Sequence, residues 1–128
     1  MGRALSVDGP HYRVMTSRCP FAGRSSSVIE MFLLLSTYHA SLDTMDALLP
    51  EHRAYLDRYR DDGVFVLWGR RVPRTGGLIV AHGVDRARID AVVADDPFVR
   101  ANAATYEVIA IQPTGGLTEL TAVLTGAS

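Results

Sequence analysis

Two residues in this chain pair the chemistry of proton transfer with a sequence context that should turn them inward: His52 and Asp96. Imidazole is the side chain whose ordinary titration spans neutrality. A carboxylate holding one of its ring nitrogens fixes the tautomer and supports the imidazolium form. His52 lies in LLPEHRAYLDRY, Leu48 to Tyr59. Read as a helix at about 100° per residue, Leu48, Leu49, Tyr55, Leu56 and Tyr59 form one apolar stripe with His52 in its middle. Glu51, Arg53, Ala54, Asp57 and Arg58 take the other side. A packed helix buries such a stripe, so His52 is expected beneath the helix.

A second helical stretch, Arg86 to Asp95, carries a narrower stripe of Ile89, Val92 and Val93. Continuing its spiral brings Asp96 into line. The expectation is two helices on one sheet, aiming His52 and Asp96 into a common pocket. Each residue also has a purely structural account. His52 could be a core-edge histidine bonded to a backbone carbonyl, and Asp96, preceding Pro97, could be a turn residue accepting its neighbours' N–H groups.

The elements that must carry the pair alternate in type. Met31 to Tyr38, MFLLLSTY, reads as a strand covered on both faces. Ser41 or Asp43 opens a short helical turn around Thr44 to Leu49. Pro50 then interrupts it or sits in the first turn of the main helix, which runs to about Asp61 and ends at Asp62-Gly63. Val64 to Arg71 is the second strand, with Val64, Val66 and Trp68 on one face and Phe65 and Leu67 on the other. Pro73 to Gly77 reads as a hairpin turn, and Leu78 to Gly83 as the third strand. Asp85 caps the second helix, which stops near Asp95 because Pro97 disfavours the α conformation at Asp96. A tight or single helical turn follows, then the fourth strand, Thr105 to Gln112. The order β-α-β-β-α-β is the ferredoxin-like arrangement of an α+β domain with a four-stranded antiparallel sheet. Two helices cover one face of such a sheet. The apolar second face points to a homodimer joined sheet to sheet, with cover by a terminal segment as the alternative.

These pieces, in order, resemble the YCII-related (YciI-like) family. The resemblance covers about Met31 to Pro113 and rests on MFLLLSTY, on LLPEHRAYLDRYRDDGVFVLWGRRVPRTGGLIV and on ADDPFVRANAATYEVIAIQP. It implies a dimeric α+β barrel of ferredoxin-like protomers, similar in architecture to muconolactone isomerase, with a His–Asp pair in the active site. The family histidine matches His52, the aspartate matches Asp96 of Asp-Pro-Phe, and the hairpin glycines match Gly76 and Gly77. Where Ser-Gly-Pro is common in the family, this chain has Trp68-Gly69-Arg70.

On this reading His52 is a general base and Asp96 its orienter, while Tyr38, Trp68, Arg70 and Gly77 border the substrate. Tyr38 and Trp68 have aromatic core as their commoner role, and Arg70, Arg71 and Arg74 cluster where a solvated edge is the usual account. One arginine could clamp a substrate carboxylate. No nucleophile sits in an elbow motif, so proton transfer of the lyase or isomerase kind is favoured over covalent catalysis. The alternatives are a non-catalytic metabolite-binding or sensing dimer and a cofactor-free monooxygenase-like enzyme. No cofactor is implied. Metal binding by His39, His52 and Asp96 is a weaker idea, since no histidines have close ligand spacing. His82 and His11 carry no assignment.

Composition narrows the partners. Thirteen basic against 14 acidic residues give a net charge of −1, which offers no broad attraction for nucleic acid or an anionic membrane. A lone cysteine, Cys19, suits a reducing cytoplasm. Residues 1–30, with Pro, Gly and a Ser25-Ser26-Ser27 run, read as a flexible extension, with targeting or a true start at Met31 as lesser readings. Residues 31–113 form the domain. Residues 114–128, with Leu117, Leu120, Val123 and Leu124 at helical spacing, form a short helix or a loose tail.

Overall fold

The computed structural model describes residues 30–125; the extension expected at 1–30 lies, but for Glu30, outside them. The described chain runs β1 (Met31–Tyr38), α1 (Leu42–Asp61), β2 (Phe65–Arg70), β3 (Gly76–His82), α2 (Arg86–Ala94), α3 (Pro97–Arg100), β4 (Ala104–Ile111) and α4 (Thr118–Thr125). The four strands form one antiparallel sheet in the order β2-β3-β1-β4. That is the ferredoxin-like order. The C-terminal stretch is a helix, α4, tied to the end of β3 by His82 Nδ1 and the Leu124 carbonyl, 3.4 Å apart.

Alternation builds the layer between sheet and helices. Phe32, Leu34 and Ser36 of β1, Ile79 and Ala81 of β3, and Tyr106 and Val108 of β4 are buried on one face. Tyr55, Leu56 and Tyr59 of α1 and Ile89, Val92 and Val93 of α2 close over them. The stripes read from sequence are therefore the buried ones. Tyr55 ties the two helices together, its hydroxyl donating to the Val92 carbonyl at 2.8 Å. A second cluster, Met45, Phe98, Ala103 and Ala104, packs with Tyr38, Leu48 and Leu49 at the end of the sheet where α3 turns.

Three expectations change. First, Pro50 neither interrupts α1 nor begins it. One helix runs from the Ser41 cap, whose hydroxyl accepts from Thr44 N–H at 3.2 Å, through Pro50 to Asp61. The ring removes one N–H from the ladder. Packing on both sides of it, Met45 in the second cluster and Tyr55 in the first, holds the helix continuous. Second, the faces of β2 do not alternate as expected. A register shift between Phe65 and Leu67 inserts a residue, as a bulge does. It leaves Phe65 and Trp68 in edge contact on the helix side, ring centroids 6.5 Å apart, and turns Leu67 outward, 64% exposed.

Third, Gly76 and Gly77 are not turn residues but the first residues of β3, paired with Thr37 and Ser36. Their lack of a side chain answers a close approach between backbones. A Cβ on Gly76 would stand 1.9 Å from the Ser36 carbonyl oxygen, and one on Gly77 would stand 2.8 Å from that of Gly69. Gly76→Ala is therefore expected to cost about 2 kcal/mol or more, in the upper part of the range for overpacking. Gly69→Ala, which meets nothing within 4 Å, should cost far less. Urea unfolding midpoints of the two variants check this.

Candidate functional site

The site is laid out by one row of the sheet. Arg70 of β2 pairs with Gly77 of β3, Gly77 with Ser36 of β1, and Ser36 with Tyr106 of β4. In the neighbouring row Trp68, Ile79, Leu34 and Val108 stand side by side. α1 crosses above and lowers His52 toward them. Between helix and sheet lies a cavity of about 150 Å³ that His52, Tyr38, Trp68, Arg70 and Gly77 line, together with residues that sequence reasoning did not place there. A cavity of roughly this size accepts a single benzene-sized ring.

Asp96 arrives at the site by capping rather than by continuing the α2 spiral. α2 ends at Ala94 with Asp95 as its cap, and Asp96 is extended (φ −67°, ψ 127°), as Pro97 requires. It is the N-cap of α3, and its side chain is fully buried. Three donors meet the carboxylate. Oδ1 accepts from the Phe98 N–H and from His52 Nδ1, each at 2.9 Å, and Oδ2 accepts from the Tyr106 hydroxyl at 2.6 Å. Asp96 is thus the turn residue of the structural account and also bonds His52, but it does not enter the common pocket expected of it: His52 lines the cavity and Asp96 lies behind it.

His52 is held on two sides. Its ring stacks on Phe98, centroids 3.9 Å apart and planes 11° apart, and the Tyr55 ring lies 5.8 Å away. The bond to Asp96 assigns the proton to Nδ1. Nε2 meets no partner among the described residues, and the side chain keeps 12% of its surface open. A neutral imidazole in that tautomer offers a lone pair at Nε2, the arrangement of a general base.

The hairpin arginines separate. Arg74 bonds Asp46 at 2.7 Å and lies over the Tyr38 ring, and Arg71 reaches the Ser36 carbonyl at 3.3 Å. Both brace structure. Arg70 alone of the three reaches the cavity. Arg53, placed by its helical angle on the outer side, also lines it, because a long side chain beside His52 reaches round the helix. Phe98, Tyr106 and several other lining residues were missed too, and so was Ser36. Its hydroxyl accepts from Gly77 N–H at 2.8 Å and stands only 3.4 Å from the Gly77 carbonyl. The row that puts Ser36 opposite Gly77 was not legible before the register was known. His39 lies outside the site, its Nε2 2.8 Å from the Thr105 hydroxyl. Among the described residues no group of three His, Cys, Asp or Glu is close enough to hold a metal ion.

Burial, and after it the Asp96 charge, pushes the Tyr106 and Tyr55 hydroxyls well above the ordinary tyrosine range. Both keep a proton in the folded state that the unfolded chain releases above a pH of about 10. Their contribution is complete below that pH and is lost as pH rises past it. Stability should therefore fall above about pH 10, and less steeply in Tyr106→Phe. At neutral pH that variant should be weaker by about 1–3 kcal/mol, since Asp96 Oδ2 is left buried without its donor. Unfolding curves recorded from pH 7 to 11 check both statements.

Among curated proteins no relative matches. Among solved structures the chain is similar to 5-chloro-2-hydroxyhydroquinone dehydrochlorinase (TftG) from Burkholderia phenoliruptrix AC1100, in complex with 2,5-dihydroxybenzoquinone. The TM-score is 0.56 at 19% identity, over 67% of this chain and 95% of that one, a likeness of fold. The model of the YCII-related domain matches residues 31–112, from the first residue of β1 to just past the end of β4. The chain belongs to the YCII-related family.

Proposed function

We propose that this protein is a small-molecule enzyme in which His52 takes a proton from a ring substrate and returns it, with Asp96 orienting the imidazole. The chemistry is of the lyase or isomerase kind. One observation carries the reading: a fully buried carboxylate holds His52 Nδ1 at 2.9 Å, in a ring that lines a cavity of single-ring size. Removal of a ring-hydroxyl proton by Nε2 pushes electrons into the ring, and the imidazolium returns the proton to a ring carbon, which moves a double bond. Where that carbon bears a group such as chloride, removal of a second hydroxyl proton by Nε2 then expels it as the anion, and the imidazolium releases that proton to water. The similar dehydrochlorinase is named for loss of hydrogen chloride from a hydroxylated ring, and a single well-placed base can drive such a step.

A second copy belongs to the same proposal. The face of the sheet away from α1 and α2 carries Met31, Leu33 and Leu35 only partly covered and Leu67 largely exposed. An apolar face of this kind suits a two-fold, sheet-to-sheet contact. Sedimentation should give twice the 13.9 kDa chain mass, and Leu35→Arg should give the monomer. A wild-type monomer would remove the dimer from the account.

The catalytic claim is tested with a panel of hydroxylated single-ring compounds that includes 5-chloro-2-hydroxyhydroquinone. On any compound turned over, His52→Ala should lower kcat by about 10²–10⁴-fold, the usual worth of general base catalysis, with unchanged circular dichroism. Asp96→Asn should lower it as well, by misorienting the ring. A His52→Ala enzyme with wild-type rates would overturn the proposal.

A further inference from the structure

Charge is distributed unevenly around this cavity. No carboxylate lines it, because Asp96 is sealed behind His52 by its three donors. Two guanidinium groups do line it, Arg53 from α1 and Arg70 from β2. Neither makes an ion pair or a hydrogen bond among the described residues, whereas Arg58, Arg60, Arg74 and Arg86 are each engaged by a carboxylate. Arg53 and Arg70 belong to different elements yet border the same opening. Most of the remaining wall is aromatic and aliphatic, with Phe98, Trp68 and Tyr38 among it, and His52 and Ser36 add polar atoms.

An unpaired pair of guanidiniums at the mouth of an apolar slot selects for a planar group with negative oxygens, because guanidinium offers paired donors that match such oxygens. The slot behind it suits a flat ring, with His52, backed by Phe98, as one of its flat walls. We propose that Arg53 and Arg70 form the anion-binding end of the site, and that its ligand is a single-ring organic anion whose charged oxygens face the opening while its ring lies between Trp68 and His52. A ring carboxylate and an acidic ring enol share this chemistry. The inference rests on the reading of the cavity as the substrate site. It goes beyond that reading by assigning the ligand's charge and naming the residues that select for it.

The test is equilibrium binding to the full chain by calorimetry. The probes are benzoate and 2,5-dihydroxybenzoquinone, each beside a neutral counterpart, benzamide and 2,5-dimethoxybenzoquinone. At least one anion should bind ten or more times tighter than its neutral counterpart, and more weakly as salt is raised. Arg53→Gln and Arg70→Gln should each weaken that anion about tenfold or more and leave melting temperature unchanged, both side chains being exposed. Benzoate preferred identifies the group as a carboxylate, and the benzoquinone preferred identifies it as an enol; either supports the clamp. Equal binding of anion and neutral counterpart, no binding of any probe, or anion affinity untouched in both arginine variants overturns it. These outcomes are separate from those of His52→Ala. That variant can lose turnover while the clamp still selects anions, and the binding probes report on the clamp without requiring turnover.

Discussion

A wholly buried carboxylate is the constraint around which this molecule is arranged. Taken from water without partners, the Asp96 charge would cost several kcal/mol or more. The protein meets that cost with three donors from three places: a backbone N–H in α3, a hydroxyl in β4 and an imidazole in α1. Each donor fixes the element it comes from. The Phe98 N–H is available because Asp96 caps α3. The Tyr106 hydroxyl is available because β4 pairs with β1 in a register that sets Tyr106 beside Ser36. His52 is available because α1 continues unbroken through Pro50. Breaking any one leaves the carboxylate under-satisfied, so fold and site are coupled through one group.

The same arrangement fixes the orientation of the histidine. With Nδ1 engaged and the ring clamped on Phe98, rotation about the side chain is blocked and Nε2 is the nitrogen left over. Tyr106 stays protonated beside the carboxylate, so it meets Asp96 Oδ2 as a hydrogen-bond donor. That keeps the negative charge behind His52 and leaves the cavity facing two cations. The carboxylate comes from the cap of α3, and the two cations come from α1 and from β2.

Much of this was legible in the amino-acid sequence, for reasons that differ by element. The stripes of the two long helices were readable because a period of 3.6 residues survives any tertiary setting, and they turned out to be the buried faces. The strand order followed from the alternation of element types. Pro50 misled because local propensity was set against packing on both sides, and packing won. The β2 faces were misread because a bulge shifts period by one, and no residue type in Phe65–Leu67 announces it. Gly76 and Gly77 carried a real signal, the need for no side chain, but the cause was backbone approach rather than a turn. Ser36 and Arg53 were missed for opposite reasons. One depends on register across strands, and the other on the reach of a long side chain around its helix.

The claim beneath all of this is that Asp96 holds His52 in one tautomer, with Nδ1 protonated and Nε2 free. Nitrogen-15 NMR of the imidazole in the wild-type protein, at a pH where the ring is neutral, reads that directly. The account predicts a protonated-type shift for Nδ1, a bare-nitrogen shift for Nε2, and an Nδ1 proton displaced downfield by the carboxylate. A neutral ring protonated at Nε2, or one averaging freely between tautomers, would contradict it.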